Sequence, residues 1–375
     1  MPSFEFIDTP AALAHCAAAL SQRPSPALFL DTEFDPQRDR TTLCLIQLSD
    51  GERVFLIDPM RLDLAPLSPV LGAPGVEWVL HAGRQDVALL QEHLRLPMPE
   101  RIFDTQVAWA LLSPEASVSL AYLEFRLLGL RGDKGHQADD WKRRPLPPTQ
   151  LAYAARDVDH LPAMYHVLAS RLDALGRRTI VWEASRETIR PEPDASAPLT
   201  MASFRNAWQL DAGGQAALVA MLAWARDMTA AGHASELPSD SKTWLAIAGR
   251  RPTTLDDLGR LKGVPRRLVD GHGHELLARL ARARSSVDTG AFVPLDPAVY
   301  TTHGEILVRA RLELIRAHAS AMLDVAPELL LPTRQLDRLR TLQLEGTAPE
   351  RLVDHVSGFR RTLLEPVWAE AVQRR

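Results

Sequence analysis

Apolar and polar positions in the first 60 residues follow mostly the alternating pattern of β-strands. One exception is residues 11–20, which read as a helix after Thr9 and Pro10. The strand-like segments are FEFI at 4–7, ALFLDTEF at 27–34, TLCLIQL at 42–48 and RVFLIDP at 53–59. The polar residues SDGE at 49–52 predict a hairpin turn between the last two of these strands.

The following segments alternate between strand and helix. EWVLHA at 77–82 predicts another strand, and a helix follows from about Gln85. Hairpin-linked strands followed by a strand–helix alternation predict an α/β domain, with a mixed sheet covered by helices. The pattern is helical from Asp104 onward, apart from a polar loop at 131–150 that precedes a helix starting near Thr149.

The last part of the chain is helical and contains a repeat. PEPDASAP at 191–198 has the composition of a linker. After it, LPS at 237–239 recurs as LPT at 331–333, and each copy follows an amphipathic helix. The repeat predicts two similar helical modules. GHGH at 271–274 offers two histidines but no further ligand nearby in sequence, and its glycines suggest a loop between helices.

Composition places the chain among ordinary globular proteins, with 46% hydrophobic and 24% charged residues among 375. This length predicts more than one domain. The 2 cysteines form no CxxC pair, which argues against a disulfide framework or a structural zinc site built on cysteine. There is neither an apolar stretch of ~20 residues nor a secretory signal pattern, so we expect a cytoplasmic protein without a membrane partner.

Three segments carry candidate chemistry. Asp31 and Glu33 are alternate residues of a strand and project to the same side, which is unfavourable for two carboxylates unless a cation lies between them. Asp86 falls in the first turn of a helix, where an acid is common for electrostatic reasons alone. Tyr153 and Asp157 are four residues apart and share one helix face.

The order and spacing of these segments resemble the DEDD exonuclease superfamily. The tyrosine four residues before the last aspartate matches its DEDDy branch. Further matches resemble the ribonuclease D family: DTEF at 31–34, IQL at 46–48, LIDP at 56–59, HAGRQD at 81–86, DW at 140–141, RPL at 144–146 and YAARDV at 153–158. The helical repeats resemble tandem HRDC domains. The resemblance implies an exonuclease domain at 1–190, a linker at 191–205 and HRDC domains at 206–290 and 298–375.

The resemblance also implies an activity. The chain would be a 3′→5′ exoribonuclease that trims structured RNAs such as transfer RNA precursors and releases nucleoside 5′-monophosphates. Its catalytic domain would contain a ribonuclease-H-like sheet. Two divalent cations, Mg²⁺ or Mn²⁺, would be bound by the carboxylates at 31, 33, 86 and 157. Tyr153 would orient the attacking water, because a phenol with a pKa near ~10 is a poor base at neutral pH. The HRDC domains would dock RNA or protein.

Contacts to the RNA are harder to assign. Gln47 and His81 match positions near the terminal nucleotide in this family, and the loop before Tyr153 offers Lys134, Lys142 and Arg144 for phosphate. Arg84 and Arg156 stand beside the predicted catalytic positions, where the family suggests smaller residues. Two alternatives stay open: a 3′→5′ DNA exonuclease of the same superfamily, and a nucleic-acid-binding scaffold without catalysis.

Overall fold

The computed structural model describes residues 3–36, 41–131, 140–189, 204, 206–292, 294 and 302–374. The chain divides into two compact units. Residues Met1–Pro191 and His303–Arg375 together form the first unit, and Glu192–Thr302 forms the second. Each unit has buried hydrophobic residues of its own.

A mixed sheet forms the centre of the first unit. Its strands are β1 (Phe4–Ile7), β2 (Ala27–Pro36), β3 (Thr41–Ser49), β4 (Val54–Ile57), β5 (Glu77–Leu80) and β6 (Arg101–Asp104). Among the described residues the strand order is β1-β4-β3-β2-β5-β6. β3 runs antiparallel to its neighbours β2 and β4, and the other pairs are parallel. The predicted mixed sheet is confirmed.

Helices cover both faces of this sheet. They are α1 (Pro10–Ser21), α2 (Ser68–Leu71), α3 (Arg84–Leu94), α4 (Thr105–Ala110), α5 (Leu120–Leu128), α6 (Pro148–Asp159), α7 (Leu161–Ala174) and α8 (Arg178–Ile189). Alternate residues of β2 enter two different cores. Phe29 packs in the core that contains the buried residues of α6 and α7, whereas Leu28 and Leu30 pack in the core with α1 and α3.

The last residues of the chain complete the first of these cores. Their helices are α13 (His303–Leu323), α14 (Pro327–Leu330), α15 (Thr333–Leu344), α16 (Gly358–Leu364) and α17 (Trp368–Gln373). Buried Arg177 links the two parts of the unit by donating from Nη1 to the Leu111 carbonyl (2.6 Å) and from Nη2 to the Leu323 carbonyl (2.8 Å). Arg360 adds an ion pair with Glu187 at 2.6 Å.

The second unit is helical. It contains α9 (Ala212–Ala230), α10 (Ser241–Arg250), α11 (Leu255–Gly259) and α12 (Arg266–Asp288) around a core that includes Trp224 and Trp244. The GHGH segment lies inside α12, so its prediction as a loop was wrong. Gly273 is buried, and a Cβ on it would come within 2.5 Å of Leu255 Cδ2. This glycine allows two helices to approach closely, which sequence alone does not distinguish from a turn glycine.

Among the helices that the structure describes, none is both long and apolar enough to cross a membrane. Cys16 and Cys44 are both buried as free thiols.

Candidate active site

The site begins where β2 leaves the core. The strand is buried from Ala27 to Leu30 and becomes partly exposed at Asp31 and Glu33. Both carboxylates lie on the strand face that Phe29 occupies, because side chains two residues apart point the same way. Asp31 pairs with Gln47 of β3, and the register between β2 and β3 shifts between Glu33 and Phe34.

Helix α6 contributes two functional groups to the same face. Its buried side chains include Ala154, Ala155 and Val158, which hold it against the sheet. Tyr153 and Asp157 lie together on the adjacent stripe of the same helix, and the Tyr153 side chain forms a hydrogen bond with the Asp157 carboxylate.

The structure brings three of the four predicted acids directly together. One carboxylate oxygen from each of Asp31, Glu33 and Asp157 lies within 4.8 Å of the others. All three also line one cavity of about 420 Å³, together with Tyr153.

Asp86 approaches from the opposite face of the sheet. It lies in the first turn of α3, and it accepts a hydrogen bond of 2.5 Å from the Thr32 hydroxyl. Thr32 alternates with Asp31 and Glu33 and therefore points toward the α3 side. Asp86 is outside the group of three acids, but its charge still acts on Asp31. The role of Thr32 in holding Asp86 had no signal in the sequence.

A tight turn between β5 and α3 sets the direction of that helix. Ala82 has a left-handed backbone (φ 51°). Its N–H and that of Gly83 donate to the buried Asp104 carboxylate at 3.0 and 3.2 Å. A Cβ at Gly83 would come within 2.5 Å of the Leu80 side chain, so the turn needs glycine there.

The carboxylates of Asp31 and Asp157 resist ionisation when no cation is bound. Burial raises the pKa of Asp31 well above its usual range, and the charges of Asp86, Asp157 and Glu33 raise it further. Burial, followed by the charge of Glu124, raises the pKa of Asp157 to about 7, while the hydrogen bond from Tyr153 opposes this change. Oxygen-only ligands with unbalanced negative charge fit a hard divalent cation.

Several residues of the cavity were not predicted as site residues. Glu124 of α5 is buried beside the acids, and its Oε1 lies 2.8 Å from His160 Nδ1. This contact raises the pKa of His160. Gln106 and Arg156 also line the cavity, and the charge of Arg156 lowers the pKa of Asp157. An acid such as Glu124 on an amphipathic helix looks like an ordinary surface residue in a sequence, whereas Arg156 stands out only because it precedes Asp157.

Trp141 packs against Tyr153. Its side chain is buried, and its ring centre lies 6.4 Å from that of Tyr153. Trp141 therefore packs behind the site.

The structure restricts two of the predicted substrate contacts. His81 lines the cavity, but Nδ1 lies 2.9 Å from Thr105 Oγ1 and Nε2 lies 3.0 Å from the Val118 carbonyl. Burial lowers the pKa of His81, which favours the neutral ring. Gln47 is fully buried beside Asp31, and its amide has no hydrogen-bond partner within the described part of the chain. Neither side chain presents a free polar group on an open surface.

Two basic side chains of the loop before α6 are also engaged in contacts within the protein. Arg144 uses all five of its N–H donors within the protein. It binds Asp58 through Nε (2.6 Å) and Nη2 (2.8 Å), and the carbonyl oxygens of Cys44, Trp141 and Arg143 accept the others. It therefore secures the loop and leaves no donor for phosphate. Lys142 forms an ion pair with Asp35. Lys134 lies outside the described residues.

Comparison with known proteins agrees with this geometry. Residues 4–173 match a family model described as 3′–5′ exonuclease. A ribonuclease D of Gluconacetobacter diazotrophicus is 33% identical over 355 residues, which cover 91% of this chain and 86% of the relative. Ribonuclease D of Escherichia coli is 30% identical over 378 residues, with 96% of each chain covered.

A solved structure extends the similarity to the whole fold. The crystal structure of Escherichia coli RNase D, described as an exoribonuclease involved in structured RNA processing, superposes with a TM-score of 0.74 at 27% sequence identity. The alignment covers 99% of both chains.

Proposed function

The chain belongs to the ribonuclease D family and is a 3′→5′ exoribonuclease, and we propose that it trims the 3′ ends of structured RNAs, transfer RNA precursors among them. Each cycle would release one nucleoside 5′-monophosphate. The observation that carries this proposal is the meeting of Asp31, Glu33 and Asp157 in one cavity beside Tyr153. Its volume of about 420 Å³ lies in the range of ~300–1,000 Å³ that is usual for small-ligand sites, so it suits one terminal nucleotide.

The family fold usually works with divalent cations, and the acidic groups suited to them are present. We propose two ions, Mg²⁺ or Mn²⁺, held by Asp31, Glu33, Asp86 and Asp157. When bound, such ions lower the pKa of a water molecule and stabilise the charge that develops on the phosphate and the departing 3′ oxygen.

The protein's own groups would then position the reactants. The Tyr153 hydroxyl is fixed by Asp157, and we assign it the orientation of the attacking water together with Glu33. Trp141 supports this position because it packs against the tyrosine ring. Arg156 contributes a positive charge to the cavity, and we propose that it contacts a phosphate of the RNA.

We propose that the helical parts are HRDC domains at 206–290 and 298–375, after an exonuclease domain at 1–190 and a linker at 191–205. Helices α9–α12 form a compact unit of their own, which supports the first HRDC domain. Helices α13–α17 form the second group, although they share a core with the exonuclease domain. Their role in docking RNA or protein, and the cytoplasmic location, stay predictions.

The test is digestion of a 5′-labelled single-stranded RNA with Mg²⁺ or Mn²⁺, with and without EDTA. A DNA of the same sequence and the variants Asp31→Ala and Asp157→Ala run beside it. We expect a ladder that shortens from the 3′ end of the RNA and disappears with EDTA and in both folded variants. Faster digestion of DNA would instead identify a DNA exonuclease. Binding without digestion under either metal would identify a scaffold.

A further inference from the structure

Two histidines and a glutamate meet in the second unit, within Glu192–Thr302. His233 follows α9, Glu236 ends the short 3-10 helix Ala234–Glu236, and His272 lies in α12. One possible ligand atom from each lies within 4.8 Å of the others. We propose that these three side chains form a binding site for a divalent transition-metal cation of the zinc class.

The backbone directs the three side chains to one point. Gly232 adopts a left-handed conformation (φ 87°) after α9, and the His233 N–H donates to the Met228 carbonyl. The chain then turns through the 3-10 helix, so that Glu236 faces α12. Gly273 allows α12 to pack closely against Leu255 while its neighbour His272 points to Glu236.

The spacing of the ligand atoms suits a small cation. His233 Nδ1 lies 2.9 Å from Glu236 Oε1, and His272 Nε2 lies 3.4 Å from Glu236 Oε2. Zinc binds imidazole nitrogen and carboxylate oxygen at about 2.0–2.2 Å, so neighbouring ligand atoms of a tetrahedral site are about 3.3 Å apart. The two His–Glu separations, one to each carboxylate oxygen, lie on either side of this value, and one ligand atom from each of the three residues lies within 4.8 Å of the others. Side-chain movements would complete the geometry.

The chemistry of the ligands also separates this site from the active site. Imidazole nitrogen favours zinc and related transition metals, whereas oxygen-only clusters such as Asp31, Glu33 and Asp157 suit magnesium and manganese. All three side chains of the new site are partly exposed, so an ion and a bound water as fourth ligand can reach them. A bound ion would tie the turn after α9 to α12 and so stabilise this helical unit.

A purely structural reading of the same contacts makes a different prediction. If the histidines serve only as hydrogen-bond donors to Glu236, each substitution removes a contact but no ion is bound. Measuring metal directly distinguishes the two cases.

The experiment uses the full chain without an affinity tag, freed of metal and then saturated with Mg²⁺ to occupy the carboxylate cluster. Zn²⁺ is titrated by calorimetry, and Co²⁺ is added separately because its visible absorption reports nitrogen ligation in a tetrahedral site. The variants are His272→Ala and His233→Ala. His274→Ala is the matched control, since this exposed histidine lies two residues further along α12.

We expect one equivalent of Zn²⁺ and an intense Co²⁺ spectrum for the unsubstituted protein and for His274→Ala, with both lost in the two ligand variants. Circular dichroism shows which variants keep their helices, and His233, on the short turn, provides a second test if His272→Ala misfolds. Absence of Zn²⁺ binding by the folded unsubstituted protein would overturn the proposal. Equal binding by all folded variants would overturn it too.

Discussion

Replacement of Asp157 by asparagine should stabilise the metal-free protein and at the same time abolish catalysis. Burial and the neighbouring charge of Glu124 raise the pKa of Asp157 from 3.8 to about 7 in the folded protein. Each step of one in pKa corresponds to about 1.4 kcal/mol, so an ionised Asp157 costs the fold up to about 4 kcal/mol above pH 7. Asparagine keeps the shape and a hydrogen-bond acceptor for Tyr153 without that charge.

The dependence on pH follows from the direction of this pKa change. Because the pKa of Asp157 is higher in the folded than in the unfolded protein, protonation of this group favours the folded state. The stabilisation is fully present below the unfolded pKa of 3.8 and is lost as the pH rises through the folded pKa of about 7. Asparagine does not titrate. The variant and the unsubstituted protein should therefore be similar near pH 4, and the variant should gain stability up to neutral pH. Because neighbouring groups and water relax around the charge, we expect a gain of about 2 kcal/mol above pH 7.

Thermal unfolding in EDTA across this pH range is the assay, and Asp159→Asn, an exposed acid on the same helix, is the matched control. Adding Mg²⁺ should reverse the order, because a ligand at 100 times its dissociation constant stabilises the protein that binds it by about 2.7 kcal/mol. A metal-free Asp157→Asn protein that is no more stable than the unsubstituted one above pH 7 would refute our account of a crowded carboxylate cluster.

Three further variants test individual contacts. Arg156→Ala should lower kcat/KM on RNA by about 10-fold to 100-fold, as expected for loss of a charged phosphate contact. The control is Arg84→Ala, which removes an exposed arginine outside the cavity lining and should change kcat/KM little. Equal effects of the two substitutions would remove Arg156 from the substrate contacts. Tyr153→Phe should slow single-turnover cleavage by roughly 10-fold to 100-fold with unchanged RNA binding, and an unaffected rate would exclude orientation of water by the hydroxyl. Arg144→Ala should lower the free energy of unfolding by about 3 kcal/mol in chemical denaturation, because buried Asp58 loses its closest cation and keeps only Arg61 at 3.8 Å. A loss of RNA affinity without destabilisation would contradict the structural role of Arg144.

The sequence predicted local relations well. Strand periodicity placed Asp31 beside Glu33, and helical periodicity placed Tyr153 above Asp157, because both depend only on the geometry of a single element. The resemblance to known nucleases supplied the expectation that these two pairs meet at one site.

Relations between distant segments were not predictable in the same way. The loop arginine Arg144 looked free for phosphate, but its partner Asp58 lies 86 residues earlier and is buried, which no local pattern reveals. Glu124 reaches the site from a separate helix, and no local pattern reveals this contact either. The sequence showed no further metal ligand near His272, because His233 and Glu236 lie more than 30 residues earlier, in the turn after α9.

The discontinuous first unit has a consequence for how the protein is made. Residues His303–Arg375 are synthesised after the second unit, yet they belong to the same unit as Met1–Pro191. Until they emerge, Arg177 lacks the Leu323 carbonyl, and the core that they share with α6 and α7 is incomplete. A nascent chain that ends early would carry every acid of the site on an unfinished core. We therefore expect such products to be recognised by chaperones and proteases, so that a working nuclease arises only from chains that include helices α13–α17.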